Sequence, residues 1–196
     1  MKIIVAAVPG SGKTTILKLV KKELPKSKVV NMGNLVLNLA KKEFGIRERD
    51  ELRNKLTIDQ QRYLQETAAR KIASMKSKHI FIDTHISIKT PNGYFPGLSE
   101  KTIHIIKPDL IIVLEFNPKD ILERRLKDKS RKRDIESLEE IEEHQRVNRE
   151  FALSAATHTQ SVVKFITFKK IQKKKFEHAK IAAKKIVELI KSMKDK

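Results

Sequence analysis

Five apolar runs punctuate this chain: "IIVAAV" from Ile3, "KVVNMG" from Lys28, "HIFIDT" from His79, "LIIVLEF" from Leu110 and "VVKFIT" from Val162. They are apolar nearly throughout instead of alternating with polar residues, which is the pattern of strands covered on both faces. Between them, apolar positions recur every three or four residues, predicting helices that begin near Thr14, Asn34, Thr57, Pro118 and Ser137. Two of these starts fit a capping box, Thr57 with Gln60 and Ser137 with Glu140, in which two side chains satisfy open amides reciprocally. Pro118 suits a first helical turn, where its missing N–H costs nothing. A last helix is predicted from the spacing of Phe176, Ala179, Ala183, Ile186, Val187 and Ile190, with lysines between them. Helices alternating with such strands predict an α/β fold, a parallel sheet with helices on both faces and right-handed crossovers. "IKTPNGYFPGLS" (88–99) and "KDKSRKRDIES" (127–137) read as loops inserted into that frame.

Length changes this picture little: 196 residues, with no repeat or low-complexity linker, suit one domain spanning 1–196. Charge asks more of it. The net formal charge is +19, densest in the C-terminal lysine-rich stretch. Such an excess suits either nucleic-acid binding or a Lys/Glu-rich surface around an anionic small-molecule substrate. Aromatic residues make up only 5%, Trp is absent and no base-stacking motif occurs, so nucleic acid is not the expected partner. No apolar run is long enough to span a bilayer, and the first leads into Pro-Gly-Ser-Gly-Lys without a small-residue cleavage site. No cysteine is present, which suits a reducing, cytoplasmic setting.

The chemistry begins where the first run ends. "AVPGSGKT" fits the phosphate-binding pattern G-x-x-x-x-G-K-[ST] except that Ala7 stands in the first position. Residues Ala7, Val8, Pro9, Gly10, Ser11, Gly12, Lys13, Thr14 and Thr15 are therefore candidates for an ATP phosphate cradle. Glycines let backbone amides turn inward, and a helix N-terminus adds positive potential. Lys13 would reach the outer phosphates and the Thr14 hydroxyl would face Mg²⁺. In a parallel sheet, ligands gather at the carboxyl ends of the strands. Those ends carry Asn31, followed by Gly33, and Asp83, followed by His85. Asp83 suits magnesium, directly or through water. His85 is equally suited to a substrate hydrogen bond or to a structural one. Arg124, Arg125, Arg131 and Arg133 could neutralise phosphate oxygens during transfer, although Arg125 or Lys132 could equally point to water.

Taken together, "VPGSGKTT", "NMGNL", "RERDELRNKL", "IDTHISIKTPNGYFPGL", "SRKRDIES" and "EHQRVNR" resemble the nucleoside monophosphate kinases, and most closely the archaeal adenylate kinase family. The resemblance implies a three-layer P-loop kinase fold with a five-stranded parallel sheet, an AMP-binding segment over 31–75 and a short lid over 126–136. It implies reversible, Mg²⁺-dependent phosphoryl transfer from ATP to AMP, giving two ADP. Lys13, Arg124, Arg131 and Arg133 would be the catalytic cations. Asn31, Gly33, Arg53, His85 and Lys89 would lie on the AMP side, with Thr14 and Asp83 at the metal. Members of the family are often homotrimers, so the resemblance allows a homo-oligomer here. The alternatives are a kinase for another nucleoside monophosphate and an ATPase-type factor acting with RNA or in ribosome maturation.

Overall fold

Alternate residues of the first apolar run serve opposite sides of one sheet. The computed structural model describes residues 1–48, 51–128 and 136–193, without the Arg53 side chain. In chain order the elements are β1 (Lys2–Ala6), α1 (Lys13–Glu23), β2 (Ser27–Asn31), α2 (Met32–Phe44), α3 (Glu51–Asn54), α4 (Ile58–Ala73), β3 (His79–Thr84), β4 (Ser87–Thr90) and β5 (Gly93–Pro96). They continue with α5 (Glu100–Ile106), β6 (Leu110–Phe116), α6 (Pro118–Lys127), α7 (Leu138–Thr159), β7 (Val162–Phe168) and α8 (Glu177–Ser192). Five strands form one sheet in the order β2-β3-β1-β6-β7, every pairing parallel. Ile3 and Val5 face a layer with Leu17 and Val20 of α1 and Ile186 and Ile190 of α8. Ile4 and Ala6 face the other, with Leu64 and Ile72 of α4 and Ile103 and Ile106 of α5. The two faces of a strand point opposite ways, so each run has to be apolar twice over.

The helix starts obey their caps. Both predicted capping boxes form, at Thr57 with Gln60 and at Ser137 with Glu140. Asn31, Ser99 and Asn117 cap α2, α5 and α6 with their side-chain oxygens. Two expectations need correction. Residues 88–99 are not simply a loop: β4 and β5 pair antiparallel, Thr90 opposite Gly93, and the Thr90 hydroxyl donates to the Gly93 carbonyl at 2.8 Å. Pro91 and Asn92 make the two-residue connection, and Gly93 at φ 120° closes it. Phe176 does not join the buried stripe of α8; it precedes the helix at φ 62° and is half exposed, whereas Ala179, Ala183, Ile186, Val187 and Ile190 are buried. Among the described residues, no helix is long and apolar enough to cross a membrane.

Candidate active site

At the carboxyl end of β1 the chain turns through Ala7 to Gly12 into α1. Gly10 and Gly12 take φ of 85° and 86°, which residues with a side chain rarely adopt. Gly12 is the N-cap, and unlike the caps named above it gives the first amides of α1 no side-chain acceptor. Those amides open on a cavity of about 310 Å³ lined by Val8 to Thr14 together with Asn31, Asp83, His85, Arg124 and Asp128. Uncapped amides at a helix start make a receptacle for anions.

The buried Lys13 ammonium sits inside this turn. It lies 2.7 Å from Asp83 Oδ1 and also donates to the Thr84 carbonyl, both from the end of β3. Burial lowers its pKa, with the Asp83 carboxylate pulling the other way. Asn31, at the end of the neighbouring β2, donates from Nδ2 to Asp83 Oδ2 at 2.9 Å while its Oδ1 caps α2. Parallel register makes this convergence unavoidable, since Val5 pairs with Asp83 and Asp83 with Asn31. His85 donates through Nδ1 to the Ala7 carbonyl at 3.2 Å, because a carbonyl can only accept. Burial, then the nearby Lys13 charge, push its pKa down to about 3, so the ring is neutral and Nε2 remains an acceptor.

A second cavity of about 320 Å³ lies on the other side of the same three residues. Asn31, Asp83 and His85 line both, and the second is completed by Gly33, Val36, Leu52, Gln61, Leu64, Gln65 and Ile88. Its walls come from α2, α3, α4 and the β4–β5 hairpin, so most of it falls within the expected segment 31–75.

The sequence candidates distribute unevenly over this site. Val8 to Thr14 and Arg124 line the first cavity; Asn31 and His85 line both, and Gly33 lines the second. Thr15 lies in the first turn of α1, its amide bonded to the Gly12 carbonyl. Arg124 donates to the Ser11 carbonyl at 2.9 Å and lies over the Phe116 ring at 5.1 Å. Lys89 lines neither cavity: it pairs with Glu140 at 2.7 Å and Glu136 at 3.8 Å. The Arg53 side chain, Arg131 and Arg133 lie outside the described residues, as does most of the expected lid.

Sequence reading left Arg125 unplaced and did not single out Glu136 or Gln145. Arg125, which could have faced water, is buried; its Nε donates to the Pro9 carbonyl at 2.8 Å and its Nη1 to Glu136 at 2.5 Å. Glu136 also faces Lys89, so one carboxylate joins Arg125, and through it the phosphate turn, to the β4–β5 hairpin. Gln145 of α7 clamps the end of β6 by bonding both the N–H and the C=O of Phe116, at 2.8 and 3.0 Å. Spacing had marked the paired arginines, but no periodicity says which one turns inward.

A Cβ on Gly10 would lie 2.6 Å from Arg125 Cγ, whereas one on Gly12 would meet open space. Both would suffer left-handed strain of about 1–3 kcal/mol. Gly10→Ala must in addition push aside an arginine held at both ends. It is expected to lower the unfolding midpoint several degrees further than Gly12→Ala, at about 2–4 °C per kcal/mol for a chain this size. Equal midpoints in a thermal melt would show that the Arg125 contact carries no weight.

Comparison with known proteins gives a consistent picture. The family model described as an AAA domain matches residues 6–142. The chain is 52% identical over 191 residues to an adenylate kinase of Pyrobaculum aerophilum, covering 97% of this chain and 96% of that one. It is 43% identical over 166 residues to an adenylate kinase of Pyrococcus horikoshii, covering 84% of each. Among solved structures, a shikimate kinase of Acinetobacter baumannii in complex with shikimate matches all of this chain and 95% of its own, with a TM-score of 0.64. At 16% identity that likeness speaks to the fold alone.

Proposed function

Because the chain belongs to the archaeal adenylate kinase family, we propose that its two cavities hold the two nucleotides of that family's reaction and meet at the transfer point. The activity is adenylate kinase activity, the reversible transfer of a phosphoryl group from ATP to AMP giving two ADP. The observation that carries the site assignment is the shared wall: Asn31, Asp83 and His85 border both cavities. A group leaving one cavity at that wall has the other cavity directly beside it.

The roles follow from charge and placement. Phosphoryl transfer needs no side-chain nucleophile, since an AMP phosphate oxygen attacks; the protein contributes position and charge. The amides of Gly10 to Thr14 hold the ATP phosphates, and Lys13, already desolvated, neutralises charge that builds on the transferring group. Arg124 holds the Ser11 carbonyl and lends its charge to the same cavity. For Arg131 and Arg133, outside the described residues, the family resemblance supports a role in neutralising the phosphates during transfer.

Thr14 hydroxyl and the Asp83 carboxylate border the phosphate cavity together, a hard-oxygen donor set that fits magnesium. Bound there, the ion would neutralise and orient the ATP phosphates. In the second cavity the apolar Val36, Leu52, Leu64 and Ile88 suit a purine, with Gln61 and Gln65 supplying amide groups at its edge. The expected Lys89 contact to AMP yields to its acidic partners: we assign it instead to holding the hairpin against α7. Family resemblance supports a homotrimer, and the cysteine-free composition a cytoplasmic setting.

A coupled ADP assay with AMP, CMP, UMP, GMP and dTMP as acceptors tests this reading. AMP is expected to react fastest by kcat/KM, with two ADP formed per turnover. Preference for another base would replace the adenine assignment of the second cavity while leaving the phosphate cavity untouched. The RNA-associated alternative is not favoured by the curated relatives.

A further inference from the structure

One group of ligand-bearing side chains lies away from the nucleotide cleft. Glu100 and His104 are one turn apart on α5, and His158 is in the last turn of α7; all three are exposed. The chain reaches β7 three residues after Thr159, so this cluster sits at the amino ends of the strands, the pole opposite the cleft. One ligand atom from each residue lies within 4.8 Å of the other two. His158 Nδ1 is 3.7 Å from Glu100 Oε1, and the two imidazole rings meet edge-on with centroids 5.9 Å apart.

A second observation fixes the chemistry of His104. Its Nδ1 lies 2.9 Å from the Glu100 backbone carbonyl. That oxygen can only accept, so Nδ1 carries the proton and Nε2 keeps its lone pair. Histidines that bind metals are held in this way, because the carbonyl fixes the ring and makes the other nitrogen a better donor. The neighbouring cation is turned aside: Lys101 pairs with Glu66 on α4 at 3.1 Å.

We propose that Glu100, His104 and His158 bind a divalent transition-metal ion of the zinc class, which clamps α5 to the end of α7. Two imidazoles and one carboxylate are a preferred set for zinc, with water completing a tetrahedron. Magnesium and calcium favour all-oxygen sites and do not suit these nitrogens. Metal–ligand bonds of about 2.0–2.1 Å at tetrahedral angles place donor atoms roughly 3.3 Å apart. Exposed side chains starting within 4.8 Å reach that spacing by rotation. The bound ion ties two helices that pack on one core, so it acts on cohesion and not on phosphoryl transfer.

The test titrates zinc into the intact protein by calorimetry, with excess magnesium present to occupy oxygen sites. Cobalt serves as a spectroscopic probe. One saturable zinc site in the micromolar range is expected, with a visible cobalt band and a raised unfolding midpoint. His104→Ala and His158→Ala should each weaken binding at least about tenfold and abolish the zinc-dependent rise in midpoint. Glu100→Gln, an exposed and nearly isosteric change, should weaken binding in a protein that still folds. Turnover without zinc should be the same in all four proteins. No saturable binding in the micromolar range, or binding unchanged in both histidine variants, would overturn the proposal.

Discussion

Replacing Lys13 with alanine is expected to lower kcat for phosphoryl transfer by about 10²–10³-fold or more, because it removes a preorganised charge aimed at the transferring group. The Lys13 side chain is 7% exposed, and among the described residues its ammonium meets oxygen acceptors, Asp83 and the Thr84 carbonyl. A buried cation facing phosphate is worth far more than a solvated one, and water entering the vacated space cannot reproduce its charge. The substitution also strands Asp83. Removing one partner of a buried pair costs about 3–5 kcal/mol, but Asp83 keeps the Asn31 donor and borders an open cavity, so the loss should fall below that range. A coupled ADP assay read beside a thermal melt separates the two effects: a folded protein with turnover near zero is the expected result. Unchanged turnover would remove Lys13 from the catalytic machinery.

How much of this could be read beforehand depended on whether the constraint was local. Gly10 and Gly12 were legible because a turn needing positive φ leaves its mark at fixed offsets from Lys13. Both capping boxes were legible for the same reason, each being complete within four residues. Asp83 and Asn31 could be placed at strand ends, yet the meeting of Asp83 with both Lys13 and Asn31 awaited the strand order, which brings β2 and β1 to either side of β3. Arg125 was not legible. Its partners Pro9 and Glu136 lie 116 and 11 residues away, and helical spacing alone cannot choose between adjacent arginines. Lys89 shows a related limit. A cation near the cleft in sequence reads as a phosphate ligand until α7 brings Glu140 beside it. The zinc-class cluster escaped notice because Glu100 and His104 are 54 residues or more from His158 in a chain with no spacing motif to join them.

Asp83→Asn should be nearly as damaging, for a different reason. The side chain keeps its size and one oxygen, so hydrogen bonding near Asn31 can persist while the negative charge is lost. Turnover is expected to fall on the order of 10²- to 10⁴-fold, the equivalent of several kcal/mol of charge stabilisation. The magnesium concentration for half-maximal activity should rise at the same time. If turnover falls while magnesium dependence stays as it was, Asp83 acts only through Lys13 and its metal assignment fails. The double variant Lys13→Ala/Asp83→Asn decides how the pair is built. Groups in contact do not add, so its activity should be little worse than that of the poorer single variant. Its unfolding midpoint should exceed that of Lys13→Ala, because no lone buried carboxylate is left behind. Stability recovered without activity would separate what this pair does for the empty fold from what it does for the phosphates. Recovery of both would mean that Lys13 serves the turn and not the reaction.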